Sequence, residues 1–175
     1  MSEPLVLDSS SADRTRGLAA TVAAACVPGD VLLLSGDLGA GKTTFAQGFG
    51  RALGIDEPVT SPTFTLVRQY EVPDGPGGLR VLLHADVYRL EHLAEVADLG
   101  LGQLVEDGGV ALVEWGEAAD PVLGDGALRL RLEADPDDDD RRTVTLSADG
   151  PAWADRWPAL VAALTPWAIG PGAPS

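Results

Sequence analysis

The segment Gly36-Asp37-Leu38-Gly39-Ala40-Gly41-Lys42-Thr43 follows the pattern G-x-x-x-x-G-K-[ST] at every fixed position, and Thr44 stands directly behind it. The chemistry this suits is capture of a nucleoside triphosphate tail. Glycine adopts positive φ without steric penalty, so such a loop can turn its N–H groups inward and lie close to phosphate oxygens. A helix beginning at Lys42 would add the positive end of its dipole. Lys42 would set a point charge on the β- and γ-phosphates, and Thr43 would offer its hydroxyl to Mg2+. The competing explanation is a glycine-rich turn that happens to precede a lysine. At average residue usage such a match arises in on the order of one chain in a hundred or fewer.

A site of this kind needs a further carboxylate near the metal. Two stand at the ends of apolar runs: Asp86 in "LLHADVYR" and Glu114 in "ALVEWGE". In an open parallel sheet, ligands sit outside the carboxyl ends of the strands, which is where both residues are expected. Either could hold the metal or orient an attacking water, and either could instead cap a helix or close a turn. Arg89 is a phosphate contact or an ion-pair partner. His84 reads as a packed strand residue, and Trp115 as a packing residue or a reporter of bound nucleotide. Thr60-Ser61-Pro62-Thr63 puts hydroxyls between the loop helix and the next strand, a position from which nucleotide switches sense the γ-phosphate. The same four residues also suit a plain turn.

These residues require an alternation of strands and helices to position them. "SSAD" at residues 10–13 has the hydroxyl-x-x-carboxylate pattern of a helix start, and the Ala-rich stretch to Cys26 continues it until Pro28-Gly29-Asp30. Val31–Leu34 is an all-apolar run fit for a strand buried on both faces. Lys42–Leu53 reads as a helix with Phe45, Phe49, Ala52 and Leu53 on one side and Gly54 as its stop. Strands are expected at Phe64–Val72, Leu79–Asp86 and Val110–Trp115. A helix is expected over Leu90–Val105, broken near Gly100 and Gly102. "ALRLRLEA" and "RRTVTLSA" alternate with period two around "DPDDDD" and predict an antiparallel hairpin with an acidic tip. "PAWADRWPALVAAL" predicts a short, proline-interrupted helix, and about 165–175 a loose tail.

The 175 residues, 45% hydrophobic, suffice for one domain with a real core. The formal net charge of −15 argues against independent grip on nucleic acid or on an anionic membrane. A lone cysteine, Cys26, excludes an internal disulfide and reads as a small core residue. The N-terminus carries no basic, apolar leader pattern, and no apolar run nears the ~20 residues that span a bilayer. The expected location is the cytoplasm.

Four motifs in order, "GDLGAGKTT", "TSPTFTLV", "HADVYRL" and "LVEWGE", resemble the bacterial TsaE (YjeE) family. That family is the ATPase component of threonylcarbamoyladenosine synthesis on tRNA. The resemblance runs from Ser10 to Glu117. It implies an α/β, P-loop NTPase-type three-layer domain over residues 1–175, with a mixed central sheet and a C-terminal antiparallel hairpin. It implies slow hydrolysis of ATP with Mg2+. The partners would be TsaD and TsaB, with tRNA reached only through their complex and hydrolysis resetting that complex between turnovers. By position, Gly36, Asp37, Leu38, Gly39, Ala40, Gly41, Lys42, Thr43 and Thr44 would bind ATP, with Thr15 near the adenine. Lys42, Asp86 and Glu114 would be catalytic, and Thr43, Asp86 and Glu114 would form the metal site. Thr60, Ser61 and Thr63 would belong to a switch. The stretch "EADPDDDDRR" is longer and more acidic than the family pattern, and Arg141 and Arg142 beside it could approach the nucleotide. Beyond Ala152 nothing matches.

Two other functions are open to a phosphate-binding loop. A small-molecule kinase needs an acceptor pocket and an arginine-bearing lid, for which 12 Lys plus Arg and no Arg-rich insertion are poor material. A nucleotide-dependent binding module would differ from the ATPase only in having negligible turnover.

Overall fold

The computed structural model describes residues 2–62 and 66–169. In chain order the strands are β1 (Leu5–Ser9), β2 (Val31–Ser35), β3 (Val67–Glu71), β4 (Val81–Asp86), β5 (Gly109–Glu114), β6 (Leu128–Ala134) and β7 (Arg142–Ala148). The helices are α1 (Ala12–Ala24), α2 (Lys42–Ala52), α3 (Leu93–Asp98), α4 (Leu101–Glu106), α5 (Gly116–Leu123), α6 (Pro151–Ala154) and α7 (Trp157–Ala163). All seven strands join one mixed sheet in the order β1-β7-β6-β2-β5-β4-β3.

The continuous apolar runs become β2, β5 and β4, which lie parallel at the centre with both faces covered. The alternating runs form β6 and β7, paired antiparallel. This hairpin is not appended to the sheet: β6 runs parallel to β2, and β7 pairs with β1. Side-chain alternation then builds three layers. Leu32 and Leu34 of β2, with Val110 and Leu112 of β5, face Leu18, Val22, Phe45 and Phe49 of α1 and α2. Leu33, Ala111 and Val113 face the other way, onto Val96, Leu101, Val105 and Ala119 of α3, α4 and α5. Each fully buried Phe or Leu in these layers contributes about 1.5–3 kcal/mol.

Several expectations are revised. The helix cap lies one residue later than expected, with the Ser11 hydroxyl accepting from the Arg14 amide at 3.1 Å. β1 has too short an alternation to stand out, and its pairing with β7 makes it a strand. β3 starts at Val67; Phe64 and Thr65 lie outside the described residues, and Leu66 sits at φ 64°. β4 begins at Val81 and α3 at Leu93. Ala52 is exposed, whereas Phe45, Phe49 and Leu53 are buried as expected. The tail is not loose from residue 165. The Trp167 indole N–H donates to the Arg14 carbonyl at 3.0 Å, and Ala168 bridges to Leu7 of β1. Cys26 is buried as expected, and that burial pushes its thiol well above the usual range. Among the described residues no helix is long and apolar enough to cross a membrane.

Candidate functional site

Beyond β2 the chain turns through Gly36 at φ 138°, Gly39 at 80° and Gly41 at 104°. A Cβ on Gly36 would stand 2.3 Å from the Leu132 carbonyl oxygen of β6, so the loop lies flat against the sheet only because that position lacks a side chain. Gly41 opens α2 in the left-handed region with no side-chain cap, and the first turn carries no acidic residue. The leading N–H groups of α2 therefore face outward with the positive end of its dipole, the arrangement that binds anions. Arg142 at the start of β7 braces the loop from the other side. Its Nε donates to the Ala40 carbonyl at 3.0 Å and its Nη2 to that of Gly39 at 3.2 Å.

The carboxylates reach the same point through the sheet. His84 and Asp86 share the face of Leu82 on β4, and Glu114 shares the face of Leu112 on β5, because side chains alternate. This is the face that α2 covers. Parallel register sets Asp86 beside Glu114, and Glu114 beside Leu34 at the end of β2. The Thr43 hydroxyl lies 3.4 Å from Glu114 Oε1. Glu114 Oε1 is also 2.9 Å from His84 Nε2. Asp86 accepts from the Ser61 hydroxyl at 2.9 Å and from the Tyr88 amide at 3.0 Å.

Lys42 is almost fully buried. Its ammonium donates to the Gly36 carbonyl at 2.5 Å and the Asp37 carbonyl at 3.0 Å, and lies 3.9 Å from the Trp115 ring centroid. Burial lowers the Lys42 pKa from its ordinary value, while the nearby carboxylates of Glu114, Glu117, Asp86 and Asp37 pull it back up.

The unusual "EWGE" run has a local explanation. Glu114 ends β5, Trp115 turns at φ 60°, and Gly116 opens α5 against β2. A Cβ on Gly116 would meet Leu33 Cβ at 2.6 Å and Leu33 Cα at 2.8 Å. Backbone this close to a buried strand has no room for a methyl group. Gly116→Ala is expected to destabilise the fold by about 1–3 kcal/mol, read as a lower urea midpoint at unchanged slope. An unchanged midpoint would show that α5 can move off the sheet freely.

Lys42, Thr43, Thr44, Ser61, Asp86 and Glu114 all line one cleft of about 520 Å3, which Leu38, Gly39, Gly41, Tyr88, Arg89, Trp115 and Arg142 complete. That volume lies in the range of ligand pockets. Gly36, Asp37 and Ala40 turn instead toward a smaller cavity of about 340 Å3 beside Glu117 and Arg131. The cleft that holds the ammonium, the hydroxyls and both carboxylates is the chemical one. Thr60 stands just outside it, accepting from Arg68 at 2.7 Å. Thr15 is not in the cleft either; its hydroxyl is buried against Ser9 at 2.8 Å. Thr63 lies outside the described residues. Sequence reasoning named Arg142 only as a residue that could approach the nucleotide, not its grip on the loop, and it missed the contact of His84 with Glu114. Only the two-residue spacing of His84 and Asp86 hinted that the imidazole shares the carboxylate's face.

Residues 9–144 match the family model described as Threonylcarbamoyl adenosine biosynthesis protein TsaE. The tRNA threonylcarbamoyladenosine biosynthesis protein TsaE of Bacillus subtilis is 43% identical over 138 residues, covering 79% of this chain and 82% of that protein. The protein of the same name from Streptomyces coelicolor is 44% identical over 130 residues, covering 72% and 84%. The crystal structure of Bacillus subtilis YdiB superposes with a TM-score of 0.73 at 36% identity, covering 95% of this chain and 97% of that one. With the glycine loop, the uncapped α2 and the paired strand-end carboxylates in place on a matching fold, the chain belongs to the TsaE family.

Proposed function

We propose that this protein is a Mg2+-dependent ATPase that serves threonylcarbamoyladenosine modification of tRNA in the cytoplasm, working with TsaB and TsaD. The observation that carries the reading is the meeting of Thr43, at the open N-terminus of α2, with Glu114 at the end of a neighbouring parallel strand. In this reading the loop amides from Gly36 to Thr44 enclose the phosphates. Lys42 carries three N–H donors and uses two on loop carbonyls, so the third serves the β- and γ-phosphates. Ser61 couples the segment around Thr60 and Thr63 to Asp86, and so to the metal. Residues 1–175 act as one ATPase domain.

The residues present fit Mg2+. Thr43, Glu114 and Asp86 are hard oxygen donors. Among the described residues no group of three or more His, Cys, Asp or Glu side chains converges as a complete metal cage. A partial oxygen set, with phosphate and water supplying the rest, is the habit of Mg2+ in nucleotide sites. The ion would offset phosphate charge in the transition state. The formal net charge of −15 suits a protein that reaches tRNA only through a complex.

The test is hydrolysis of Mg-ATP by the isolated protein and with TsaB, TsaD and tRNA. Weak phosphate release alone, stimulated by the partners, is expected. A phosphorylated metabolite formed in place of free phosphate would overturn this reading in favour of a kinase.

A further inference from the structure

The His84 imidazole is fully buried, with 0% of its side chain exposed, and Glu114 beside it is 4% exposed. Nε2 lies 2.9 Å from Glu114 Oε1, while among the described residues Nδ1 has no hydrogen-bond partner. The contact assigns the hydrogen. A bare Nε2 would aim its lone pair at a carboxylate lone pair, so Nε2 carries the hydrogen and donates. Position 84 lies on the inner face of β4 between Leu82 and Asp86, opposite Leu112 of β5. A leucine there would join the apolar layer and bring no polar atom of its own to satisfy. Imidazole instead leaves Nδ1 unpartnered, an arrangement that packing does not explain. Its gain is a donor fixed by two strands and aimed at one oxygen of Glu114. The same oxygen faces the Thr43 hydroxyl at 3.4 Å.

We propose that His84 is a positioning residue: through its Nε2–H it holds the Glu114 carboxylate on the Thr43 side of the cleft, so that both oxygens needed by Mg2+ are set before nucleotide arrives. Without it, the Glu114 side chain has rotamers that point away from Thr43, and the metal must then order the ligand it binds. Partners of this kind, one bond behind a ligand, orient it and strengthen binding. The inference rests on the reading of Glu114 as part of the Mg2+ site.

The experiment measures binding of a non-hydrolysable ATP analogue by calorimetry, in EDTA and across a Mg2+ series, for wild type, His84→Leu, His84→Gln and His84→Asn. Circular dichroism checks the fold of each. The wild type is expected to bind more tightly as Mg2+ rises. His84→Leu should lose about 10-fold of that gain and match the wild type in EDTA. His84→Gln, whose amide nitrogen reaches the place of Nε2, should keep most of the gain. His84→Asn, whose nitrogen stops near the place of Nδ1, should behave like His84→Leu. Hydrolysis should show the same split: with slow turnover KM follows binding, so KM for Mg-ATP should rise about 10-fold in His84→Leu and His84→Asn and change little in His84→Gln. Wild-type Mg2+ dependence in His84→Leu, or equal losses in His84→Gln and His84→Asn, would overturn the proposal. If His84→Leu does not fold, the Gln and Asn pair decides alone. A wild type with no Mg2+-dependent gain would instead remove the metal-site reading itself, and this inference with it.

Discussion

Lys42→Ala should erase the thermal protection that Mg-ATP gives the wild-type protein. A ligand at about 100 times its Kd stabilises the native state by about 2.7 kcal/mol. In a chain of this size that corresponds to a rise of roughly 5–10 °C in Tm. The variant should show no such rise, and its ATP hydrolysis should fall by about 100- to 1000-fold, as when a charge-stabilising donor is lost. Its fold should survive. The carbonyls that Lys42 contacts belong to half-buried Gly36 and exposed Asp37, which water can reach once the ammonium is gone. Losing these bonds costs about 1–2 kcal/mol, and relief from burying an ammonium offsets part of it. Differential scanning fluorimetry with and without Mg-ATP, beside circular dichroism, reads both parts. A Tm rise retained in the variant, or ellipticity lost in step with activity, would contradict the assignment of Lys42 to the ligand.

Glu114→Gln should separate turnover from binding. Glutamine keeps the shape of the side chain and an oxygen that can accept from His84 Nε2, and it removes the negative charge. Hydrolysis is expected to drop by about 100- to 1000-fold, while affinity for a non-hydrolysable analogue with Mg2+ falls by about 10-fold. Thermal stability should hold or rise, because the variant no longer buries an anion that is only 3% exposed. Single-turnover hydrolysis and calorimetry on one preparation measure the two quantities. Equal losses in both would mean that Glu114 only helps to hold the nucleotide.

Much of this arrangement was legible before any coordinates. The loop from Gly36 to Thr43 declares itself because its function needs glycines, a lysine and a hydroxyl at set intervals along the backbone. The apolar runs of β2, β4 and β5 stand out because strands covered on both faces tolerate little that is polar. The carboxylates ending two of them point to one edge, since parallel strands share a direction. The acidic tip of the hairpin was also legible. There, the Asp135 and Asp138 carboxylates accept from the amides of Asp137 and Asp140, the local bonding that makes aspartate a turn former.

Other features came only from long-range pairing. β1 has no compelling local signal, and β7 supplies its hydrogen bonds from the far end of the chain. The helix α5 was not expected from "GEAADPVL", which contains a proline and is short; it forms under the restraint of Gly116 against Leu33. The hairpin's insertion next to β2 brings Arg142 to the glycine loop across about a hundred residues, a contact no spacing rule announces.

The sequence alone determined which chemical groups are present and which local shapes carry them, because loop conformation, strand period and helix capping depend on neighbours a few residues apart. Tertiary structure decided which groups meet. The register of β4 on β5 sets Asp86 beside Glu114 and His84 within reach of Glu114, and α2 lowers Thr43 onto the same carboxylate. Such encounters depend on sheet order and on which face each strand presents, and both are set when the whole core packs at once.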